Sequence, residues 1–329
     1  MSVQDRPRVL VTRRTFDEVL ASLRERFDVD DNQGDVPLAP DELRRRAAAC
    51  EGIITAVADP VTAALLDACP RLRIVANCAV GTNNVDIPAC TERGIMLTNT
   101  PGVLDDTTAD HAWALMFAAA RRVVSSDRWL RDGHWKAWGF MDWHGVDVHH
   151  ATLGVIGMGR IGQAIARRGA GFDMNVIYHN RNRLPAADEA ACRASYRSMD
   201  ALLGEADFVV VSVPYGPATH HLIGARELGL LKPTAVFINI ARGGVVDDPA
   251  LVALLKAGRI AAAGLDVFEN EPALDPGFLG LENAVLTPHI ASASRATRLG
   301  MAELAARNLT AALSGERPPS LVNAEVTPR

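Results

Sequence analysis

The 329-residue chain has little cysteine and no cysteine pattern. Cys50, Cys69, Cys78, Cys90 and Cys192 are odd in number, scattered and free of C-x-x-C spacing. That argues against a disulfide framework and a zinc site, and points to a reducing compartment, the cytoplasm. An excess of positive charge is also lacking. The 34 Lys and Arg stand against 39 Asp and Glu, a net charge of −5, so no basic field invites nucleic acid. No stretch approaches the roughly 20 apolar residues of a membrane span, so no membrane partner is expected. The start MSVQDRPRVLVT is polar and lacks the apolar core of a signal peptide. There is no internal repeat and no low-complexity segment. What is present is an ordinary globular composition, 48% hydrophobic and 22% charged, and a length that suggests about two domains.

The chain is organised around Thr152 to Phe172, TLGVIGMGRIGQAIARRGAGF. It reads as a buried strand over Thr152–Ile156, a tight turn, and a helix from about Arg160. Gly157, Gly159 and Gly162 have the G-x-G-x-x-G spacing. The first glycine permits the turn, the second lets a pyrophosphate approach the backbone, and the third lets helix and strand pack closely. A plain strand–turn–helix corner is the alternative; the apolar strand and Ala/Ile-rich helix on either side favour a dinucleotide site.

Before this motif, short apolar runs alternate with helical patterns. Strands are expected at Arg8–Thr12, Gly52–Thr55, Arg73–Ala76 and Ile95–Leu97. Helices are expected at Phe16–Phe27, at Asp41–Cys50, and from Asp59-Pro60 through Leu66. Asn99-Thr100-Pro101-Gly102 breaks the rhythm and reads as a hinge. A long helix follows at Thr107–Arg122, then an irregular stretch, Ser125–His150, with four of the five tryptophans. Such a stretch is expected to form a subunit interface. Its His134, His144, His149 and His150 have no supporting ligand cluster, and no metal is expected. Further strands are expected at Asn175–Tyr178, Asp207–Val213, Ala235–Ile240, Ala262–Val267 and Ala284–Thr287, with a clear helix at Pro249–Lys256. A last helix, Arg295–Leu313, is expected to return to the first unit. The class is therefore α/β, with two parallel-sheet lobes. One lobe spans residues 1–102, completed by 293–329. The other spans 103–292 and includes a dimerisation arm at 123–150.

Cofactor preference is read after the second strand of the glycine-motif lobe, NVIYHNRNR. Asn180 stands where an acidic residue usually holds the ribose hydroxyls, and Arg181 and Arg183 follow. A missing carboxylate beside two guanidiniums suits a 2′-phosphate, so NADPH (NADP) is preferred, with NADH possible. A solvated arginine pair is the alternative. Arg242, Glu271 and His289 each fall just past a predicted strand, on the edge where open α/β sheets bind ligands. Arg242 can hold a carboxylate and polarise a keto oxygen, and His289 can give that oxygen a proton. Glu271 can fix the tautomer of His289.

The segments GMGRIG, NIARGGVVD, GLDVFENEP and PHIASAS together resemble the D-isomer-specific 2-hydroxyacid dehydrogenase family over nearly the whole chain. The sequences NCAVGTNNVD, TTADHAWALMFAAARR and YHNRNR are most similar to its glyoxylate/hydroxypyruvate reductases. The resemblance implies two doubly wound lobes with a cleft between them, a flavodoxin-like substrate lobe and a Rossmann dinucleotide-binding lobe, and a homodimer built through the cofactor lobe. It implies that Arg242 binds the substrate carboxylate, that His289 does acid/base work beside the substrate, and that Glu271 supports it. Val80 and Gly81 are expected to offer main-chain N–H groups to that carboxylate. Thr108, Gly159, Arg160, Ile161, Val213, Pro214, Thr219, Ile240 and Asp266 are expected to contact the cofactor, Asp266 through the nicotinamide amide. Thr82-Asn83 and His111 depart from the usual residues. The expected activity is reduction of small 2-keto acids, glyoxylate and hydroxypyruvate, to D-2-hydroxy acids. The alternatives are a reductase of 2-ketogluconate or a bulkier 2-keto acid, and a non-catalytic NAD(P)-sensing scaffold.

Overall fold

The structure, a computed structural model, describes residues 6–328. The polar lead-in Met1–Asp5 and Arg329 lie outside the described residues. The chain divides after Leu104 and again after Ala293, so the segment from Ser294 onward joins the first unit.

The first unit holds β1 (Arg8–Val11), β2 (Asp28–Asp31), β3 (Gly52–Thr55), β4 (Ile74–Asn77) and β5 (Met96–Thr98), in the order β2-β1-β3-β4-β5. Every pairing is parallel. One face is covered by α1 (Asp17–Arg24) and α12 (Arg295–Leu313), which bury Leu20, Leu23, Leu309 and Leu313. The other is covered by α2 (Pro40–Ala47), α3 (Ala63–Asp67) and α4 (Ile87–Glu92), through Leu43, Leu65, Leu66 and Cys90. The central strands GIIT and IVAN are buried along their whole length, as expected of strands covered on both faces.

The second unit holds β6 (Thr152–Ile156), β7 (Asn175–His179), β8 (Ala194–Tyr196), β9 (Phe208–Val211), β10 (Val236–Asn239), β11 (Ala262–Leu265) and β12 (Ala284–Leu286). Their order is β12-β11-β10-β9-β6-β7-β8, again all parallel. The order reverses at β6/β9, the switch point where such sheets bind ligands. On one face α5 (Asp105–Ala120), α7 (Arg160–Gly169) and α8 (Ala186–Cys192) bury Trp113, Met116, Ile165 and Cys192. On the other, α9 (Met199–Glu205), α10 (Ala225–Leu228) and α11 (Asp248–Lys256) bury Leu202, Leu228 and Leu251. No described helix is long and apolar enough to cross a membrane.

Three local expectations change. Asp59-Pro60 starts no helix. Asp59 instead accepts from the Ala56 main-chain N–H (2.8 Å) and from Thr12 Oγ1 (2.5 Å), and α3 begins later, capped by Thr62. Asp28–Asp31 is a strand although Asp is a poor strand former. It lies at the sheet edge, and Arg8, Arg46 and Arg24 neutralise Asp28, Asp30 and Asp31. The stretch after Ser125 is not irregular throughout, because Val123–Arg131 is helix α6, with none of its residues buried.

Candidate active site

The glycine turn follows β6 on the carboxyl edge of the second sheet. Gly157 has φ +97°, and a Cβ there would lie 2.7 Å from the Ser212 carbonyl. A Cβ at Gly162 would lie 2.2 Å from the Gly157 carbonyl, so α7 touches the turn where only glycine fits. Gly159 differs: a Cβ there would meet no protein atom within 4 Å. The protein interior therefore does not demand glycine at 159. Close approach of a phosphate does, and α7 starts without a side-chain cap, leaving first-turn N–H groups for an anion. The turn thus fits a dinucleotide on both counts.

Around it, Asn180 Oδ1 accepts the Met158 N–H at 2.6 Å, holding the loop after β7 against the glycine turn. Arg160, Arg181 and Arg183 are exposed and Ile161 is half-buried. The two loop arginines differ. Arg183 is bidentate on Glu189, at 2.8 and 2.9 Å, and Tyr178 Oη donates to the same carboxylate at 2.7 Å. Arg183 and then Tyr178 hold Glu189 down to a pKa of about 2. Arg181 has no hydrogen-bond or ion-pair partner among the described residues. After β9, Val213 is half-buried and Pro214 exposed. Thr219 Oγ1 is spent inside that loop, donating to the Pro214 carbonyl and accepting the Gly216 N–H. Thr108 on α5 and Ile240 after β10 are buried.

The acid/base candidates come from the next three strands. His289 Nδ1 lies 2.8 Å from Glu271 Oε2, and Glu271 Oε1 accepts the Phe268 N–H at 2.9 Å. Arg242 Nη1 donates to the Ala241 carbonyl at 2.7 Å. Burial pulls the Arg242 pKa down, opposed by the nearby charges of Glu271 and Asp266. The Arg242 turn lies hard against the loop bearing Glu271, since a Cβ at Gly243 would fall 1.7 Å from the Phe268 carbonyl. The structure thus brings Arg242, Glu271 and His289 to one edge of one sheet.

Asp266 has no exposed surface. Its Oδ1 accepts from Thr287 Oγ1 (2.7 Å) and the Ile290 N–H (2.8 Å), and its Oδ2 accepts the Ala291 N–H (2.8 Å). His289 donates its own N–H to the Asp266 carbonyl (2.9 Å) and holds φ at +55°. The loop bearing His289 is therefore wound around Asp266, and the carboxylate expected to face nicotinamide is largely committed to that loop. Thr287, which sequence reasoning missed, and His111, which it noted as a departure without a role, complete this network. The histidine at 111, in place of an apolar residue, was the one available signal.

In the first unit, the turn after β4 is held by its carbonyls. Asn99 donates to the Val80 oxygen and Asn77 to the Gly81 oxygen, each at 2.9 Å. The N–H groups of Val80 and Gly81 have no protein acceptor among the described residues. Among those residues the one cluster with metal-ligand geometry is His220, His221 and Glu269, which includes no arm histidine.

The family model for the D-isomer specific 2-hydroxyacid dehydrogenase NAD binding domain matches residues 113–291. The glyoxylate reductase of Thermococcus gammatolerans is 47% identical over 326 residues, covering 98% of this chain and 97% of the relative. That of Korarchaeum cryptofilum is 48% identical over 323 residues, covering 98% and 97%. Among solved structures, an NADPH-dependent glyoxylate/hydroxypyruvate reductase from Sinorhizobium meliloti, in complex with NADP and malonate, superposes with a TM-score of 0.86. It is 36% identical and covers 99% of each chain. A parallel two-sheet fold with a glycine turn at its switch point, together with these matches, places the chain in the D-isomer specific 2-hydroxyacid dehydrogenase family, as an NAD(P)-dependent dehydrogenase.

Proposed function

We propose that the protein is an NADPH-preferring reductase of small 2-keto acids, glyoxylate and hydroxypyruvate, forming D-2-hydroxy acids. The observation that carries this reading is the Glu271–His289 pair beside the Arg242 turn, on the sheet edge that also bears the glycine motif. The names of the similar proteins favour glyoxylate, and one of them favours hydroxypyruvate and NADPH.

Arg242 holds the substrate carboxylate and polarises the keto oxygen. The N–H groups of Val80 and Gly81 take the same carboxylate. A bound reduced nicotinamide supplies the hydride. His289 Nε2 gives a proton to the keto oxygen as its carbon is reduced, while Glu271 accepts from Nδ1–H and stabilises the imidazolium that carries the second proton on Nε2. The residues after β6, β7, β9 and β10, with Thr108, hold the cofactor, and Arg181 takes the 2′-phosphate. The second unit is thus the cofactor lobe and the first the substrate lobe.

The protein acts in the cytoplasm as a homodimer joined through the cofactor lobe. The support is the arm at 123–150, where Trp135, Trp138, Phe140 and Met141 are 57–77% exposed. A monomer gains nothing by wetting four large apolar side chains together, and a second copy would cover them.

The test follows reduced-nicotinamide absorbance with glyoxylate, hydroxypyruvate, pyruvate and 2-ketogluconate. Decay with glyoxylate is expected. No decay with any of the four leaves an NAD(P)-sensing scaffold instead.

A further inference from the structure

The first unit carries a cavity of about 900 Å³ that this reading leaves unused. It opens at the carboxyl edge of the five-stranded sheet, walled by the chain leaving β1 and the chain leaving β3. In the order β2-β1-β3-β4-β5 the connections diverge at β1/β3, and open parallel sheets bind ligands at that point. Cys78 is also in the wall, just ahead of Val80. Cavity and Val80–Gly81 turn are therefore neighbours within one unit. A two-carbon keto acid held at that turn would fill little of the space.

The wall carries donors that have no protein acceptor among the described residues. Gln33 Nε2 is buried without an acceptor. Arg14 and Arg298, both exposed, have no side-chain hydrogen-bond or ion-pair partner among the described residues. The other two wall arginines are occupied, Arg13 by Asp59 at 3.0 Å and Arg295 by Glu18 at 3.1 Å. Of the wall acids, Glu18 is thereby matched and Asp35 accepts the Arg14 main-chain N–H at 3.2 Å. Asp17 lies in the first turn of α1, where the helix dipole stabilises it. The unmatched demand is for an acceptor, and guanidiniums meet it best with a carboxylate.

We propose that this cavity receives the far end of a longer substrate, one ending in a second carboxylate, so that 2-keto dicarboxylates belong to the substrate class. The proposal rests on the reading that the Val80–Gly81 turn holds the first carboxylate. The reaction is unchanged: hydride passes from the reduced nicotinamide to the keto carbon, and a proton passes to the keto oxygen. Arg14 and Arg298 select the substrate and take no part in the transfer.

The test compares kcat/KM for 2-oxoglutarate and for 2-oxopentanoate, a monocarboxylate of the same chain length, in the wild type and in Arg14→Ala/Arg298→Ala. The wild type should favour the diacid by about tenfold or more, the scale of a charge-assisted hydrogen bond. The variant should lose that preference and reduce glyoxylate as the wild type does. A wild type that reduces both acids equally well overturns the proposal, as does a variant that loses equally on both. Calorimetric titration with glutarate, which has no keto group, is the second arm. Wild-type binding that weakens about tenfold in the variant supports the cavity even if no keto acid is reduced, and no wild-type binding overturns it. Failure with every keto acid removes the reductase reading, not this site, which the glutarate titration tests by itself.

Discussion

His111 reaches the buried carboxylate of Asp266 from α5: its Nε2 lies 3.3 Å from Asp266 Oδ1 and 3.0 Å from Thr287 Oγ1. Burial alone would push Asp266 up. The hydrogen bonds from His111, Thr287, Ile290 and Ala291 outweigh it and hold the carboxyl below its ordinary value. Since two of those donors flank His289, His111 steadies the proposed proton donor without touching it. His111→Phe should lower kcat about tenfold and cost about 2 kcal/mol, the loss of a donor to a buried charge. NADPH affinity should stay within about threefold. His111→Gln, which restores a donor, should recover most of kcat. Steady-state kinetics with fluorescence titration of NADPH decide it, and an unchanged kcat in His111→Phe removes the positioning role.

The two arginines after β7 should separate in the same way as their partners. Arg181→Ala should raise KM for NADPH by about tenfold or more while KM for NADH moves little, because only NADPH brings a 2′-phosphate. Arg183→Ala frees Glu189 and slackens the loop, so it should affect both cofactors alike. Equal shifts in the Arg181 variant would defeat the NADPH assignment.

The sequence made the central architecture legible because its signals are local. The β6 strand and the starts of α7 and α12 are fixed by neighbouring residues: an apolar run, a glycine turn, and Ser294 accepting the Thr297 N–H. Arg242, Glu271 and His289 were legible because each follows a strand, and parallel topology brings strand ends together. What was not legible depends on partners distant in sequence. β2 needs Arg8 and Arg46 to neutralise its aspartates, and nothing within DVDD announces them. Asp59-Pro60 has the form of a helix start, but Thr12 and Arg13, in the chain leaving β1, claim its carboxylate. Equally, no spacing rule reveals that Arg183 is committed to Glu189 whereas Arg181 is not.

Asp248 makes stability depend on pH. Burial raises its carboxyl to about 6, only partly offset by the Glu269 N–H that it accepts at 2.8 Å. The folded state therefore holds the proton more tightly than the unfolded chain. Its contribution is fully present below the unfolded pKa and is lost as pH rises through about 6. The loss at neutral pH is on the order of 2–3 kcal/mol. Asp248→Asn keeps an oxygen for Glu269 and carries no charge. Urea denaturation should find it more stable than the wild type at pH near 7.5 and no more stable near pH 4. A gap that does not change with pH would show that Asp248 is not the group responsible.

Glu271 answers two donors at once, the Phe268 N–H with Oε1 and the protonated Nδ1 of His289 with Oε2. A glutamine has one oxygen. In Glu271→Gln, if that oxygen serves Phe268, the amide NH₂ faces Nδ1 and favours a ring with no proton there. Such a ring could donate from Nε2 only by becoming an imidazolate. If the amide flips, the ring is served and the Phe268 N–H loses its acceptor, which loosens the loop. Both routes weaken proton transfer and leave the glycine turn intact. Turnover of glyoxylate should therefore fall about a hundredfold, with NADPH binding unchanged. Turnover within threefold of the wild type would mean that the 2.8 Å contact between Glu271 and His289 does not serve catalysis.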